Sequence, residues 1–506
     1  MKVVKMQQDA WTNVHQTFTE TIKDIYIVAN EPALDALPAY NDTTIGLQKL
    51  VRDAIKTNTA IRCLGAGWSW TKIATVKNGI MIDTKQLNAT LNISAQSVVP
   101  TYKGDVTKLL FAQCGNGIWE LNDQLRDDKL SLKTCGASNG QTIVGAMSTG
   151  AHGSTIDIGG VQDYVVGMHI IVGPDRHIYV ERKSAPVVSA SFIKKLNTEL
   201  VQDDDLFNAA LVSFGSFGII HGVMIVTEDL FLIEAYRRRM PIDDALKKTM
   251  ATLDFTGLDL PSGNDRPFHF SVAINPYDLK NGAYVSTFYK RPYVDDNYTK
   301  PVHNDSGVGP GDDAPAFIGK LTDVVRKLVP TVVNKLLGGA YKPYEKQFGT
   351  LGEIFDNVSF HGKLLSTALG FPLNVVNQVT DLLLAVNKTD GPFTGLFAYR
   401  FIKKTDAMLG FTHFPDFTCI VELDGIFSKT TEKFYNAVWK KLEEEKIPFT
   451  FHWGKMVDLD PARLVQMYGS SVDSWMAARN KVLDADTIKV FTNPILQEWG
   501  LDNAQP

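Results

Sequence analysis

The sequence predicts an α+β protein built as two lobes. Three observations carry that expectation. At 506 residues the chain is too long for one hydrophobic core. Short β-type runs alternate with helix-type runs, so no single period holds throughout. Near residue 234 the texture changes, as short strands give way to a Gly/Pro/Asp-rich loop and helical segments. The expected division is 1–233, 234–465, and a segment 466–506 that returns to the first lobe.

The elements follow in order. Residues 43–57 set Ile45, Leu47, Leu50, Val51 and Ile55 at roughly helical spacing. Short strands are expected in AIRCLG, in GIMIDT at 79–84 and in SVVPTYKG at 97–104. KLLFAQCGNG at 108–117 reads as a helix ending in glycine. Residues 163–180 read as a hairpin turning at Gly173-Pro174-Asp175, and IIHGVMIV closes the first lobe as a strand. Residues 295–316 read as a long loop. In 317–338, Leu321, Val325, Leu328, Val332 and Leu336 share a face, and Pro330 is expected to kink or split that helix. Leu373, Val376, Val379, Leu382 and Leu383 mark a second helix over 372–386. Both helices are expected to pack a lobe, with a lid over an apolar substrate or a membrane surface as the alternative. Strands return at 395–404 and 417–427. A helix over 429–445 is capped by Ser428 or Thr430, with Glu432 in its first turn. A last helix begins at Asp460-Pro461.

Bulk properties exclude several classes. Lys plus Arg total 51 and Asp plus Glu total 56, which argues against a nucleic-acid binder. No run of about 18 uncharged apolar residues occurs and MKVVKMQQDAW lacks a leader-like apolar core, so a cytoplasmic chain without a membrane span is expected. Cys63, Cys114, Cys135 and Cys419 are far apart with no CxxC, giving neither a disulfide framework nor a metal site.

Two stretches suggest a ligand. In GAGWSW, Gly65, Ala66 and Gly67 leave the backbone bare beside Trp68, Ser69 and Trp70. A dinucleotide fingerprint would need a glycine where Trp70 stands and a helix after it, and TKIATVKNGIMIDT reads instead as loop and strand. A structural turn and a loop offering N–H groups to a pyrophosphate both remain open. In CGASNGQTIVGAMSTGAHGS (135–154), small residues and hydroxyls fill twenty positions. Gly136, Ala137, Gly145, Gly150 and Gly153 suit a backbone wrapped on a polar ligand, and Ser138, Thr142, Ser148 and Thr149 are available to bond it. A Gly-rich surface loop does not explain His152 among such small neighbours.

Together, GAGWS, STGAHGS and GSFGII (215–220) resemble the FAD-binding lobe of the vanillyl-alcohol-oxidase (PCMH-type) flavoprotein family. HWGK (452–455) with the terminal Asn-Pro-x-Leu looks like the aldonolactone-oxidase and alditol-oxidase branch, D-arabinono-1,4-lactone oxidase among it. The resemblance implies FAD held by the 65–69 loop and the 136–153 stretch, with the Ile220 backbone touching the cofactor. Many relatives carry a histidine, linked to the flavin, where this chain has Trp68. A second linkage uses a cysteine, where Ser138 stands, and Cys135 lies three residues earlier. Non-covalent FAD is therefore implied.

The family's E-x-R pair becomes Ala398 and Arg400, which keeps the cation and drops the glutamate. Glu422 and Asp424 share one face of the next strand and are implied to face substrate; exposed acids on an edge strand are the alternative. Lys455 matches a lysine beside the flavin N1–C2 edge, and His452 is implied to orient substrate or accept its proton. The implied reaction oxidises a CH–OH group of a small sugar, polyol or lactone by hydride transfer to flavin N5, with O2 or another acceptor. The alternatives are a sterol oxidase of the cholesterol-oxidase type on the same fold, and a flavin-binding protein without catalysis.

Overall fold

A computed structural model describes residues 1–295, 297–301, 326–356 and 363–502. Three large sheets organise these residues. The first runs Lys2–Met6, Asp24–Ala29, Ile80–Gln86, Ile61–Leu64, with Ile80–Gln86 parallel to both of its neighbours, Asp24–Ala29 and Ile61–Leu64. The helix Ala36–Lys56 makes the crossover between them and buries Leu47, Val51 and Ala54. Ile45, expected on that face, is 68% exposed. It lies two residues before Leu47, about 200° around the helix, so it points away from the core.

The second sheet has six strands, in the order Glu199–Gln202, His177–Glu181, Val165–Ile171, Ile219–Val226, Leu109–Gln113, Thr90–Asn92. Its central hairpin is the expected one, closing from Met168↔Val180 to Ile171↔His177. Two expectations fail here. LLFAQ is a fully buried strand, and Gly117 stands at the start of the following helix Ile118–Asp127, not at the end of one. A short apolar run does not separate buried strand from helix by periodicity. Residues 97–104 form no strand: a 3-10 turn at Ala95–Ser97 leads into Val98, which makes one isolated bridge to Val188. Pro100 has no N–H to continue a ladder.

The third sheet is antiparallel with eight strands: Tyr344–Gly349, Phe231–Met240, Ala283–Pro292, His269–Ile274, Phe397–Lys403, Phe417–Ile426, Leu364–Pro372, Thr450–Phe451. The strand Phe231–Met240 spans residue 233 and belongs to this sheet. The helix Lys429–Glu444, capped by Ser428, buries Phe434, Tyr435, Val438, Trp439 and Leu442. The helix Val376–Thr389 turns Val376, Val379, Leu382, Leu383 and Val386 into the same core. Its apolar face is consumed by packing, so it is no lid.

Residues 302–325, with Leu321 and Val325, lie outside the described residues. The helix Val329–Ala340 buries Val329, Val333 and Leu337, one position on from the expected Leu328, Val332 and Leu336 set; Leu328 is exposed. Pro330 sits in its first turn, where a missing N–H costs nothing, so it starts this helix and does not kink it. Four C-terminal helices, Pro461–Tyr468, Ser471–Val482, Ala485–Phe491 and Pro494–Glu498, follow. Trp475 Nε1 donates to the Val212 carbonyl, and Asn493 Nδ2 donates to that of Thr75. These bonds brace loops of the first lobe from behind.

Candidate active site

One cavity draws on both lobes. Its first wall is the 65–70 loop, parts of 136–152 and the 214–220 turn; its second is Arg400, Glu422 and the 452–455 turn. All four catalytic candidates, Lys455, His452, Arg400 and Glu422, line it. So do the cofactor candidates, except two. Gly150 has φ +72° and its missing Cβ would point at Phe411, 3.5 Å away; at Gly153 a Cβ would meet the Cys135 carbonyl at 2.4 Å. A left-handed backbone fixes the first glycine and close packing the second.

Packing also explains much of the bare loop. A Cβ on Gly65 would lie 2.2 Å from Thr142 Oγ1, and Gly67 has φ +73° with the Trp11 ring at its back. The tryptophans hold the loop in place. Trp70 stacks on His15 at 3.7 Å between centroids, and Trp68 meets His15 edge-on at 5.5 Å. Trp70 N–H donates to the Gly454 carbonyl and its indole N–H to that of Leu364. The loop is thereby tied to the 452–455 turn of the other wall.

Arg62, on the strand entering this loop, is 2% exposed. Its Nη1 donates to the carbonyls of Phe214 (2.9 Å) and Gly215 (2.6 Å), while Nε and Nη2 are buried without a partner. Burial, with Arg479 nearby, pushes its pKa down to about 9. Arg479 Nε donates to the Ser216 carbonyl at 2.9 Å, so two guanidinium groups grip one turn.

On the opposite wall Glu422 is clamped. Its Oε2 accepts from Arg400 Nε at 2.5 Å and its Oε1 from Lys455 Nζ at 2.7 Å. Burial alone would raise its pKa, but the two cations outweigh burial and hold it well below the carboxylate range. Ladder pairing sets Glu422 directly across from Ala398. The neighbouring strand thus brings a carboxylate to Arg400. That strand lies between Phe397–Lys403 and Leu364–Pro372 and is no edge. Asp424 is 1% exposed, stands behind Glu422 off the cavity wall, and has its pKa raised by burial. Lys455 Nζ is 3.8 Å from its Oδ1. His152 and His452 complete this wall with ring centroids 5.4 Å apart, both against Phe411.

Sequence reasoning missed His15 and Arg62. A lone arginine inside the apolar strand IRCL was the available signal for Arg62; nothing in the N-terminal segment marked His15.

A family profile described as "FAD binding domain" matches residues 40–179. Residues 40–179 thus carry an FAD-binding domain. Among curated proteins, an L-gulono-1,4-lactone dehydrogenase of Mycobacterium tuberculosis is 26% identical over 231 residues, 46% of this chain and 44% of that one. A D-arabinono-1,4-lactone oxidase of Debaryomyces hansenii is 27% identical over 270 residues, 51% of this chain and 44% of that one. Each match thus spans less than half of the relative's length. Among solved structures, cholesterol oxidase from B. sterolicum superposes with TM-score 0.70 at 14% identity, covering 98% of this chain and 97% of that one. A solvent-stable cholesterol oxidase gives TM-score 0.65 at 13% identity, covering 98% of both. At such identities the likeness is one of fold. The flavoprotein's own residues fit the cofactor. Arg62 offers unpartnered buried nitrogens to an anion, and the wall around it is backbone and small side chains.

Proposed function

We propose that the protein is an FAD-dependent oxidoreductase that oxidises a CH–OH group of a sugar lactone, sugar or polyol. The observation that carries this reading is the Arg400–Glu422–Lys455 clamp across one cavity from the Gly65–Ser69 loop. A buried carboxylate held by two cations is a polar floor suited to hydroxyl-rich substrates. The lactone-oxidising names of the relatives support the same class.

The backbone of 65–69 and 136–148, Ile220 and Arg62 would hold the FAD. When bound, the flavin supplies a two-electron acceptor at N5, and O2 or another acceptor regenerates it. Lys455 and Arg400 offset negative charge that develops on the cavity side of the clamp. Glu422 keeps both cations aligned and in turn accepts from a substrate hydroxyl. Trp68 has no nucleophilic nitrogen for the flavin. The buried Cys135 thiol lies off the cavity wall, with its pKa pushed up to about 12 by burial. Both favour non-covalent FAD.

The sterol alternative loses one of its supports, because the apolar face of Val376–Thr389 is spent on the core, and keeps the fold it shares with cholesterol oxidases. The catalysis-free alternative loses one of its two supports, the missing glutamate, because Glu422 brings a carboxylate to Arg400 from the position facing Ala398; the Trp68 substitution stays with it. Anaerobic titration of the yellow protein tests the three readings. Lactones or polyols should bleach the flavin and cholesterol should not. Bleaching by cholesterol alone establishes the sterol reading; a flavin that no hydroxyl compound reduces establishes the binding-protein reading.

A further inference from the structure

The two histidines on the cavity wall are locked in opposite tautomers. His152 Nδ1 lies 3.0 Å from the Gly153 carbonyl oxygen. A carbonyl only accepts, so Nδ1 carries the hydrogen and Nε2 keeps its lone pair. His452 Nδ1 accepts from the Gly454 backbone N–H at 3.0 Å. An N–H only donates, so here Nδ1 keeps the lone pair and Nε2 carries the hydrogen. Both rings are neutral: burial pushes the pKa of His152 down to about 4 and holds that of His452 well below the usual range.

We propose that His152 Nε2 is the general base for substrate oxidation and that His452 Nε2–H is a donor that orients a second substrate oxygen. This rests on the oxidation proposed above, and of the two roles expected for His452, orienting substrate or accepting its proton, it keeps the first and gives the second to His152. The other ionisable groups on this wall are unsuited. Both oxygens of Glu422 are engaged by cations, and Arg400 and Lys455 are the donors that engage them. The lone pair of neutral His452 is taken by the Gly454 N–H, which leaves His152 Nε2 as the neutral ring nitrogen of this wall whose lone pair is turned to no backbone donor.

The step balances. The substrate O–H bond breaks and its proton goes to His152 Nε2. The O–H electron pair becomes the second C–O bond. The C–H pair leaves as hydride for the bound flavin acceptor, so carbon is oxidised by two electrons and the flavin reduced by two. A weak base suffices, because loss of hydride from carbon makes the attached hydroxyl strongly acidic. The imidazolium so formed is favoured by nearby Glu422 and opposed by Arg400 and Lys455, which favours return of the proton after turnover.

The test uses flavin-loaded protein. In His152→Asn the amide N–H replaces the ring Nδ1–H donor to Gly153 and Nε2 is lost. Its anaerobic flavin reduction should slow by about 10²–10⁴. In His452→Gln the amide N–H replaces Nε2–H, and the limiting reduction rate should stay within about tenfold, while His452→Phe should weaken substrate binding about tenfold. Histidine side-chain nitrogen NMR gives a readout independent of turnover: His152 should carry its hydrogen on Nδ1 and His452 on Nε2. Wild-type rates in His152→Asn, or reversed tautomers, overturn the base assignment alone. Wild-type flavin that no hydroxyl compound reduces overturns the oxidation and the base together.

Discussion

Glu422 bridges Arg400 and Lys455 from the ladder position facing Ala398. All three side chains are 12% exposed or less, so solvent screens them little. Removing the carboxylate leaves two buried cations side by side. Glu422→Gln should lose about 3 kcal/mol of stability, toward the low end for a broken buried pair because the cavity admits water. Urea midpoints with an unchanged slope measure it. The ladder predicts a rescue as well. Ala398→Glu added to Glu422→Ala returns a carboxylate two residues from Arg400, on the same strand face, and should recover part of the loss. A double variant no more stable than Glu422→Ala refutes the equivalence of 398 and 422.

Lys455 closes the clamp as a compact point charge at the end of an apolar stem. Lys455→Met keeps apolar bulk and removes the charge. Flavin should still bind, because Arg62 and the 65–69 loop are untouched. Reduction by substrate should fall about 10²–10³-fold, the usual effect of deleting one charge-stabilising donor, or about 3–4 kcal/mol. A sulfite adduct of the flavin should weaken in parallel. Stopped-flow reduction at wild-type rate would remove the HWGK turn from the chemistry.

Much of this site was legible because it is written in glycine, hydroxyl and charge. GAGWS and STGAHGS stand out by composition that no ordinary core explains, Arg400, Glu422 and HWGK were marked by the family resemblance, and they meet in one cavity. What was not legible depends on partners distant in sequence. Gly65 is bare because Thr142 lies against it, and Gly153 because the Cys135 carbonyl does. No local pattern carries that. The roles of His152 and His452 turn on whether a carbonyl or an N–H meets each ring, which only coordinates reveal. The strand at 109–113 was misread because a short apolar run fits either secondary structure. The helix after 328 was placed one residue off because its apolar positions outnumber one face.

Arg62 makes the fit to FAD measurable without turnover. Its Nε and Nη2 are buried and unpartnered in the protein alone, so an anion in the cavity would satisfy them. Arg62→Gln should weaken FAD binding about 10–100-fold, the value of one or two charge-assisted hydrogen bonds. Flavin fluorescence quenching gives the Kd. Riboflavin, which lacks the diphosphate, should bind wild type and variant alike. An equal loss for both ligands would mean that Arg62 only supports the Phe214–Gly215 turn.

A histidine network in the core of the first lobe predicts acid sensitivity. His169 Nδ1 is 2.7 Å from Tyr40 Oη and its Nε2 is 2.8 Å from His177 Nδ1. His221 is bonded to Thr43, Thr44 and Gln113 and stacks on Tyr40 at 4.1 Å between centroids. Every one of these neighbours is neutral or can become cationic, so nothing there welcomes a proton. Burial, with His177 adding repulsion, pushes the pKa of His221 down to about 3, and burial likewise drives that of His169 well below its ordinary value. In the unfolded chain both titrate near 6.5. Above that pH neither state binds the proton and these residues do not affect stability. As pH falls below it, the unfolded chain gains protons that the folded core refuses, so stability falls by up to about 1.4 kcal/mol per pH unit per histidine. For His221 the loss continues to about pH 3. His221→Gln keeps polar contacts without a titrating ring. Its unfolding free energy between pH 6 and 5 should therefore drop about 1 kcal/mol less than that of the wild type. Parallel pH profiles for the two proteins would show that the buried network does not set the acid limit.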